Sequence, residues 1–138
     1  MKWYNHIWEC LQTLIGCIVL LFLSGKTDEG LYKGRRVIRF KESSFFSPTS
    51  LGYWIILPRN AGEVTVAHEW GHCMQSHNWG PLYLPVCGIP SLWNNLKART
   101  CERTSENYYK LHPEKDADRR GGVVWVDGER ILKQDNTQ

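Results

Sequence analysis

The chain has 138 residues, of which 42% are hydrophobic and 22% charged, and its formal net charge at pH 7 is +3. This length allows one domain of ordinary size. The seven Trp and six Tyr exclude a disordered chain, because they supply apolar surface for a core or for a membrane interface. A short basic cluster of Lys33, Arg35, Arg36 and Arg39 matches no nucleic-acid-binding motif and is typical of a solvated strand edge. We therefore predict no nucleic-acid partner.

The cysteines give no sign of a disulfide framework. Five are present, at positions 10, 17, 73, 87 and 101, and no pair has the C-x-x-C spacing. An odd number without that spacing predicts free thiols rather than disulfides or a cysteine zinc site.

The N-terminal segment, residues 1–24, is predicted to form an apolar helix that precedes a unit of residues 25–138. Residues 14–23 read LIGCIVLLFL and carry no charge. The run is shorter than the about 20 apolar residues that a membrane span needs, and it lacks the flanks of a signal peptide. A membrane anchor, an interfacial helix and a buried helix stay open, and so do a membrane-associated and a cytoplasmic location.

The following residues alternate between polar turns and short apolar runs. Residues 24–35 are polar and contain glycine, which predicts a linker or a turn. Residues 36–40 (RVIRF) and 51–57 (LGYWIIL) are rich in β-branched and aromatic side chains, so we predict two strands separated by a loop at 42–50.

The first helix of the larger unit is predicted to begin near Glu63 and to end near Ser76, with Gly80-Pro81 as its stop. The apolar residues 81–93 (PLYLPVCGIPSLW) that follow are interrupted by proline and glycine. We expect this segment either to pack in the core or to dip into a membrane.

The C-terminal third contains a second helix and a hairpin. Residues 94–107 are polar; the helix is predicted to open at Pro113 and to close at Gly121-Gly122. Residues 123–132 (VVWVDGERIL) predict a hairpin, because Asp127-Gly128 favours a tight turn. Together these elements predict an α+β fold with a small antiparallel sheet.

Residues 67–76 read AHEWGHCMQS and contain the pattern H-E-x-x-H. On a helix His72 lies about 40° round from His68 and one turn along, so both imidazoles can reach one metal ion. Glu69 lies about 60° from His72, where it can reach a metal-bound water but is poorly placed to bind the metal. This division of roles is typical of zinc hydrolases, in which two histidines bind Zn²⁺ and the glutamate accepts a proton from water.

The opposite face of this helix is apolar, which predicts that it packs on the core. We expect Gln75 to line the site one turn beyond His72, and His77 to lie on the back. The residues predicted to form the apolar back are Val66, Trp70, Cys73 and Met74.

A catalytic zinc site needs a third protein ligand, and HPEKDAD at 112–118 offers several. Glu114 and Asp118 are four residues apart and share a helix face. We predict Glu114 as the third ligand and Asp118 as the acceptor of a hydrogen bond from the far nitrogen of His68. Asp116 points about 200° away from Glu114 and is expected to face solvent. Asp118 and His112, which precedes the helix, are alternative ligands.

An oxyanion formed during hydrolysis needs a hydrogen-bond donor besides the metal. Tyr108, Tyr109 and His112 lie near the predicted ligand Glu114 in the chain and are candidates for this role. The sequence does not choose among the three.

Longer patterns resemble a family of small bacterial proteins. Residues 68–93 (HEWGHCMQSHNWGPLYLPVCGIPSLW) are similar to its H-E-[YW]-G-H-x-x-Q-S, G-P-L-Y-L and G-I-P-S motifs, and residues 108–123 to its P-E-x-x-A-D-x-x-G-G motif. Residues 8–22 and 50–57 also resemble its opening segment and its strand, so the resemblance covers about residues 3–125. Asp116 departs from the pattern, since an aromatic residue is expected there.

This resemblance implies a zinc metallopeptidase of the zincin type, and the spacing of Glu114 and Asp118 is similar to that of thermolysin-like zincins. The metal roles carry over to His68, His72 and Glu114, and the role of general base to Glu69. A minimal zincin-like domain would then hydrolyse a peptide or protein substrate, which we expect to pair with an exposed edge of strand 51–57.

Two other functions stay open. In the first, zinc only stabilises a small domain and no reaction follows. In the second, the chain is a membrane-associated interaction protein and the two histidines are incidental. The sequence makes no prediction of oligomeric state.

Overall fold

The protein is described by a computed structural model at residues 7–41, 47–100 and 105–133. The chain is α+β, as predicted, and a 3₁₀ turn (Gly80–Leu82) and a π-helical turn (Leu84–Gly88) connect its second and third helices. In chain order the elements are α1 (Cys10–Phe22), β1 (Thr27–Tyr32), β2 (Arg35–Phe40), β3 (Thr49–Leu51), β4 (Trp54–Pro58), α2 (Glu63–Trp79), α3 (Ile89–Thr100), α4 (Ser105–Tyr109), α5 (Glu114–Gly121), β5 (Val123–Val126) and β6 (Glu129–Leu132).

The larger sheet has the strand order β1-β2-β4-β3 and is mixed. β2 and β4 are parallel, whereas β1 pairs with β2 and β3 pairs with β4 in antiparallel fashion. The prediction of an antiparallel sheet is therefore wrong for its central pair. β3 lies at the outer edge of the sheet, and the chain reaches it before β4. A tight turn then leads back into β4, which therefore runs in the same direction as β2.

Strand β1 occupies residues that were predicted to be a linker or turn. Four of its six residues are exposed, and its pairing with β2 shifts register between Asp28 and Gly30. Edge strands of this kind carry no alternation of apolar side chains for a sequence pattern to detect. Strand β3 takes Thr49 and Ser50 from the predicted loop and Leu51 from the predicted strand 51–57, which a turn at 52–53 divides. Residues 42–46 of that loop lie outside the described part of the chain.

The basic cluster is only partly at the surface. Arg36 pairs with Asp28 at 2.7 Å, and both side chains are more than two-fifths exposed. Arg35, by contrast, is fully buried and its Nη1 lies 2.9 Å from Glu9 Oε2. The prediction of a solvated edge is wrong for Arg35, because α1 covers this end of β2 and supplies a buried counter-charge.

Helix α2 packs its apolar back on the sheet, as predicted. Val66 and Cys73 belong to one buried cluster with Val37, Ile55 and Leu57 of the central strands, and Trp70 and Met74 pack against that cluster. The helix begins at Glu63 as predicted and continues to Trp79, three residues beyond the expected end. Gly80 ends it with a φ of 52°, a value that favours glycine.

Helices α2 and α5 approach so closely that their backbones touch. A Cβ added at Gly71 would overlap the backbone carbonyl of Ala117, and one added at Gly121 would overlap that of Ala67. Two glycines facing each other's helix therefore allow this contact.

The segment after α2 stays helical despite its prolines. Pro85 lies at the start of the π-helical turn and Pro90 near the start of α3, positions where a missing backbone N–H costs little. Tyr83 and Cys87 face the core, whereas Ile89 and Leu92 are exposed. None of the helices within the described ranges combines the length and apolar character needed to cross a membrane.

The C-terminal predictions are confirmed. α5 covers Glu114–Gly121, and Gly122 follows it in the left-handed conformation. β5 and β6 form an antiparallel hairpin, in which Asp127 and Gly128 both have positive φ. Among the described residues, Cys10, Cys17, Cys73 and Cys87 are free thiols; Cys101 lies outside them.

Candidate metal centre

Helices α2 and α5 bring three side chains with metal-binding atoms together. His68 Nε2 and His72 Nε2 lie 3.0 Å and 3.2 Å from the same oxygen, Oε2 of Glu114. All three side chains are buried, and their candidate ligand atoms lie within 4.8 Å of one another. The group can therefore hold a metal ion.

The far nitrogens of both histidines face hydrogen-bond acceptors. His68 Nδ1 lies 2.7 Å from Asp118 Oδ1, and His72 Nδ1 lies 2.8 Å from Gln75 Oε1. The amide of Gln75 is oriented by its nitrogen, which donates to the Pro113 carbonyl oxygen at 2.9 Å. Both partners accept, so each Nδ1 carries a proton. In the neutral form of either ring, the lone pair of Nε2 then faces Glu114.

With both rings neutral, three lone-pair atoms face one another, and either a bound metal ion or a proton on one imidazole offsets their repulsion. The two Nε2 to Oε2 distances are 3.0 Å and 3.2 Å. Ligand atoms held about 2.0–2.1 Å from a tetrahedral ion lie about 3.3 Å apart, so the observed separations fit such an ion. The donor set and its spacing are therefore consistent with bound metal.

The electrostatics of the centre also favour positive charge. Burial alone would lower the pKa of His68, but the hydrogen bonds that it donates to Asp118 and Glu114 raise it to about 9. Burial would raise the pKa of Glu114, yet the two histidines hold it well below its usual range. The pKa of Asp118 is likewise lowered, against burial, by His68 and Arg130.

Arg130, on strand β6, holds Asp118 in place and was not identified from the sequence. Its Nε donates to Asp118 Oδ2 at 3.3 Å, and its guanidinium lies 3.4 Å from the ring centroid of Tyr109. The ring of Tyr109 in turn meets the ring of His68 edge-on at 5.3 Å. The sequence did predict the hairpin that carries Arg130. Because this hairpin folds the end of the chain back over α5, it was the feature from which a contact with Asp118 could have been inferred.

Ser91, on α3, is a second contact that the sequence reasoning missed. Its Oγ donates to Glu114 Oε1 at 2.5 Å, so it restrains the carboxylate whose other oxygen faces the histidines. The G-I-P-S pattern at 88–91 was the signal that could have identified it.

Asp116 was expected to face solvent, but it is only partly exposed. Its Oδ2 accepts a hydrogen bond from Gln75 Nε2 at 3.0 Å, and its side chain is 21% exposed. Burial would raise its pKa, but Arg120, Gln75 and Arg119 lower it to about 2. The prediction failed because Gln75 reaches across from α2.

Glu69 and the metal-binding group face a cavity of about 510 Å³. β3 and α3 border this cavity, and Tyr108 and Tyr109 line it as well. Burial raises the pKa of both phenols, so both are hydrogen-bond donors at neutral pH. His112 does not line the cavity; it is exposed, and its backbone oxygen accepts a hydrogen bond from Asn94.

The arrangement is that of a metal site beside a carboxylate in a cavity large enough for a ligand. The sequence matches no family model and no curated protein, and the structure matches no solved structure. Its function therefore has to be argued from the chemistry of these side chains.

Proposed function

We propose that the protein is a zinc-dependent metallopeptidase with a minimal zincin-like core. The observation that carries the proposal is the convergence of His68 Nε2, His72 Nε2 and Glu114 Oε2 beside Glu69 in an accessible cavity. Two imidazoles and one carboxylate are a ligand set of catalytic zinc, which keeps one position open, whereas structural zinc is closed by four ligands.

His68, His72 and Glu114 hold the zinc ion in this proposal. When bound, zinc supplies a Lewis acid that polarises a carbonyl group and makes water acidic near neutral pH. Asp118 and Gln75 keep both histidines in the tautomer that presents Nε2. Ser91 restrains the carboxylate of Glu114.

Glu69 is the general base. Its carboxylate accepts a proton from the attacking water and later delivers that proton to the leaving amine of the cleaved peptide bond. Tyr108 and Tyr109 are both protonated and line the cavity, so each is a candidate donor to the oxyanion. The exposed position of His112 makes it a weaker candidate.

The substrate we propose is an extended peptide bound along β3. Strand β4, which contains most of the segment expected to offer an edge, is paired on both sides. Among the described residues, the sheet edge that borders the cavity belongs to Thr49–Leu51. A peptide added to this edge would pass the metal-binding group. Its side chains would meet an apolar wall formed by Leu84, Ile89, Leu92 and Leu96, which favours apolar substrate residues.

The test separates metal binding from hydrolysis. We expect about one zinc per chain by elemental analysis, and loss of this zinc in His68→Ala and in Glu114→Ala. Glu69→Gln is expected to keep the zinc but to cleave an unfolded protein substrate at least about 100-fold more slowly, since it removes the general base.

The matched control is Glu63→Gln, which makes the same chemical change on an exposed residue of the same helix. It should leave both zinc content and hydrolysis unchanged. Stoichiometric zinc with no hydrolysis of any unfolded substrate would indicate a non-catalytic metal site. Absence of zinc from protein purified without chelator, and failure to take it up, would rule out both metal functions.

A further inference from the structure

Helix α1 is oriented with its polar side chains toward the protein. Glu9, just before the helix, is 1% exposed and pairs with the Arg35 guanidinium. Gln12 is fully buried, and its side-chain amide donates to the backbone carbonyl of Gly80. Polar groups thus occupy the face that a helix in water normally reserves for apolar residues.

The outward face of α1 is apolar along its whole length. Large apolar residues recur there every three or four positions, which places them on one side of the helix. This outer stripe consists of Ile7, which precedes α1, and of Leu11, Leu14, Ile18, Leu21 and Phe22, with exposed fractions of 62, 46, 58, 47, 78 and 82%. A contiguous apolar surface of this kind marks a contact with another apolar phase.

The C-terminal end of α1 is the most exposed part. Leu21 and Phe22 are 78% and 82% exposed. Successive helix positions point about 100° apart, so two adjacent exposed side chains leave this end open over a wide arc. A fluid apolar phase can surround such an end, whereas the flat face of a protein partner would cover only one side.

Basic side chains lie at the C-terminal end of α1. Lys26 Nζ donates to the Leu20 carbonyl oxygen at 2.5 Å, and Arg59 Nη2 donates to the Gly25 carbonyl oxygen at 3.2 Å. The nearby carboxylate of Asp28 is paired with Arg36. Basic residues beside an apolar surface attract anionic lipid headgroups.

Tryptophans lie where α1 meets the rest of the protein. Trp8 packs against Gly80 and is 52% exposed, and Trp79 is 41% exposed. Tryptophan is enriched at the boundary between membrane and water, because its ring is apolar and its N–H is polar. Both positions therefore suit the rim of a membrane-bound surface.

We propose that the outer stripe of α1 lies in the interface of an anionic lipid bilayer and anchors the protein to one leaflet. The 13 residues of α1 rise about 20 Å, against the about 30 Å of a hydrocarbon core, which favours a helix lying in the interface. This inference does not rest on the proposed metal function.

The test is flotation of the full chain with vesicles. Protein purified in mild detergent is mixed with vesicles of phosphatidylcholine, alone or with phosphatidylglycerol, and the detergent is removed. We expect wild-type protein to float with the vesicles, more so with phosphatidylglycerol and low salt. Leu21→Glu/Phe22→Glu should bind at least about tenfold more weakly, because two side chains no longer enter the apolar phase.

The control variant is Leu31→Glu/Ile131→Glu, which adds the same two charges at exposed apolar positions outside α1. It should float like wild type, and circular dichroism should show that both variants are folded. Three results would overturn the proposal: wild-type protein that stays with the soluble fraction, equal binding by the α1 variant, or a lipid-free dimer that the α1 variant dissociates. The last result would identify a second copy as the occupant.

Discussion

At the scale of single residues, the tautomers of two histidines decide what the centre can bind. His68 and His72 each meet an acceptor at Nδ1, so in their neutral forms the Nε2 lone pairs face Glu114. Without metal, a proton on His68 provides the cation that these acceptors require. Metal and proton therefore compete for the same group of side chains.

This competition predicts how the stability of the metal-free protein depends on pH. The pKa of His68 is raised from 6.5 to about 9 in the folded protein, so its contribution is complete below pH 6.5 and is lost as the pH rises through 9. The free energy of unfolding in chelator should fall by on the order of 3 kcal/mol across this window.

Chemical denaturation of the metal-free protein at several pH values measures this change. Asp118→Asn should reduce the slope, because the pKa of His68 is raised in part by that carboxylate. Added zinc should bind more tightly as the pH rises, since neutral imidazoles are the ligands. A stability that is independent of pH between 6.5 and 9 would contradict the charge assigned to His68.

At the scale of elements, the contact between α2 and α5 assembles the centre. The histidines and Glu114 belong to different helices and meet because Gly71 lies against Ala117, and Gly121 against Ala67. A wider separation of the two helices would move Glu114 away from both Nε2 atoms. The glycines are thus structural residues on which the metal site depends.

The substitution Gly71→Ala tests this dependence. The added methyl group meets backbone, which cannot move away by changing rotamer. We therefore expect the free energy of unfolding to fall by about 3 kcal/mol and zinc binding to be lost. Gly62→Ala is the control at the start of the same helix, where an added Cβ meets nothing within 4 Å. Thermal unfolding and zinc content measure both; a stable, zinc-binding Gly71→Ala protein would show that the contact is dispensable.

Local signals predicted several elements correctly. α2, α5 and the final hairpin were found because their ends carry proline, glycine or Asp-Gly. β1 was missed because an exposed edge strand needs no apolar alternation. The parallel pairing of β2 with β4 was missed because pairing depends on where distant strands meet.

At the scale of the whole molecule, a buried ion pair joins α1 to the sheet. Glu9 precedes α1 and Arg35 begins β2, and both side chains are almost fully excluded from water. The remaining Nη1 contact of Arg35 is the carbonyl oxygen of Gly52, at 3.1 Å. The pair therefore holds α1 against the sheet and determines the direction in which the outer stripe of α1 faces.

Removing one member of this pair leaves a buried charge without its partner. We expect Glu9→Gln to lower the free energy of unfolding by about 3–5 kcal/mol. The control Asp28→Asn breaks the exposed pair with Arg36 and should cost at most about 1 kcal/mol. Denaturant titration measures both, and equal effects would mean that Arg35 finds another partner.

The sequence by itself determined the local geometry of the site. A four-residue spacing on a helix is sufficient to place His68 and His72 on one face, and the same spacing places Asp118 beside Glu114. The tertiary structure decided which groups meet across elements: Glu114 with both histidines, Ser91 with Glu114, and Arg130 with Asp118. It also decided that α1 turns its polar side inward. Helical periodicity is encoded within a few residues, whereas these contacts depend on how helices and strands pack, which no short stretch of sequence encodes.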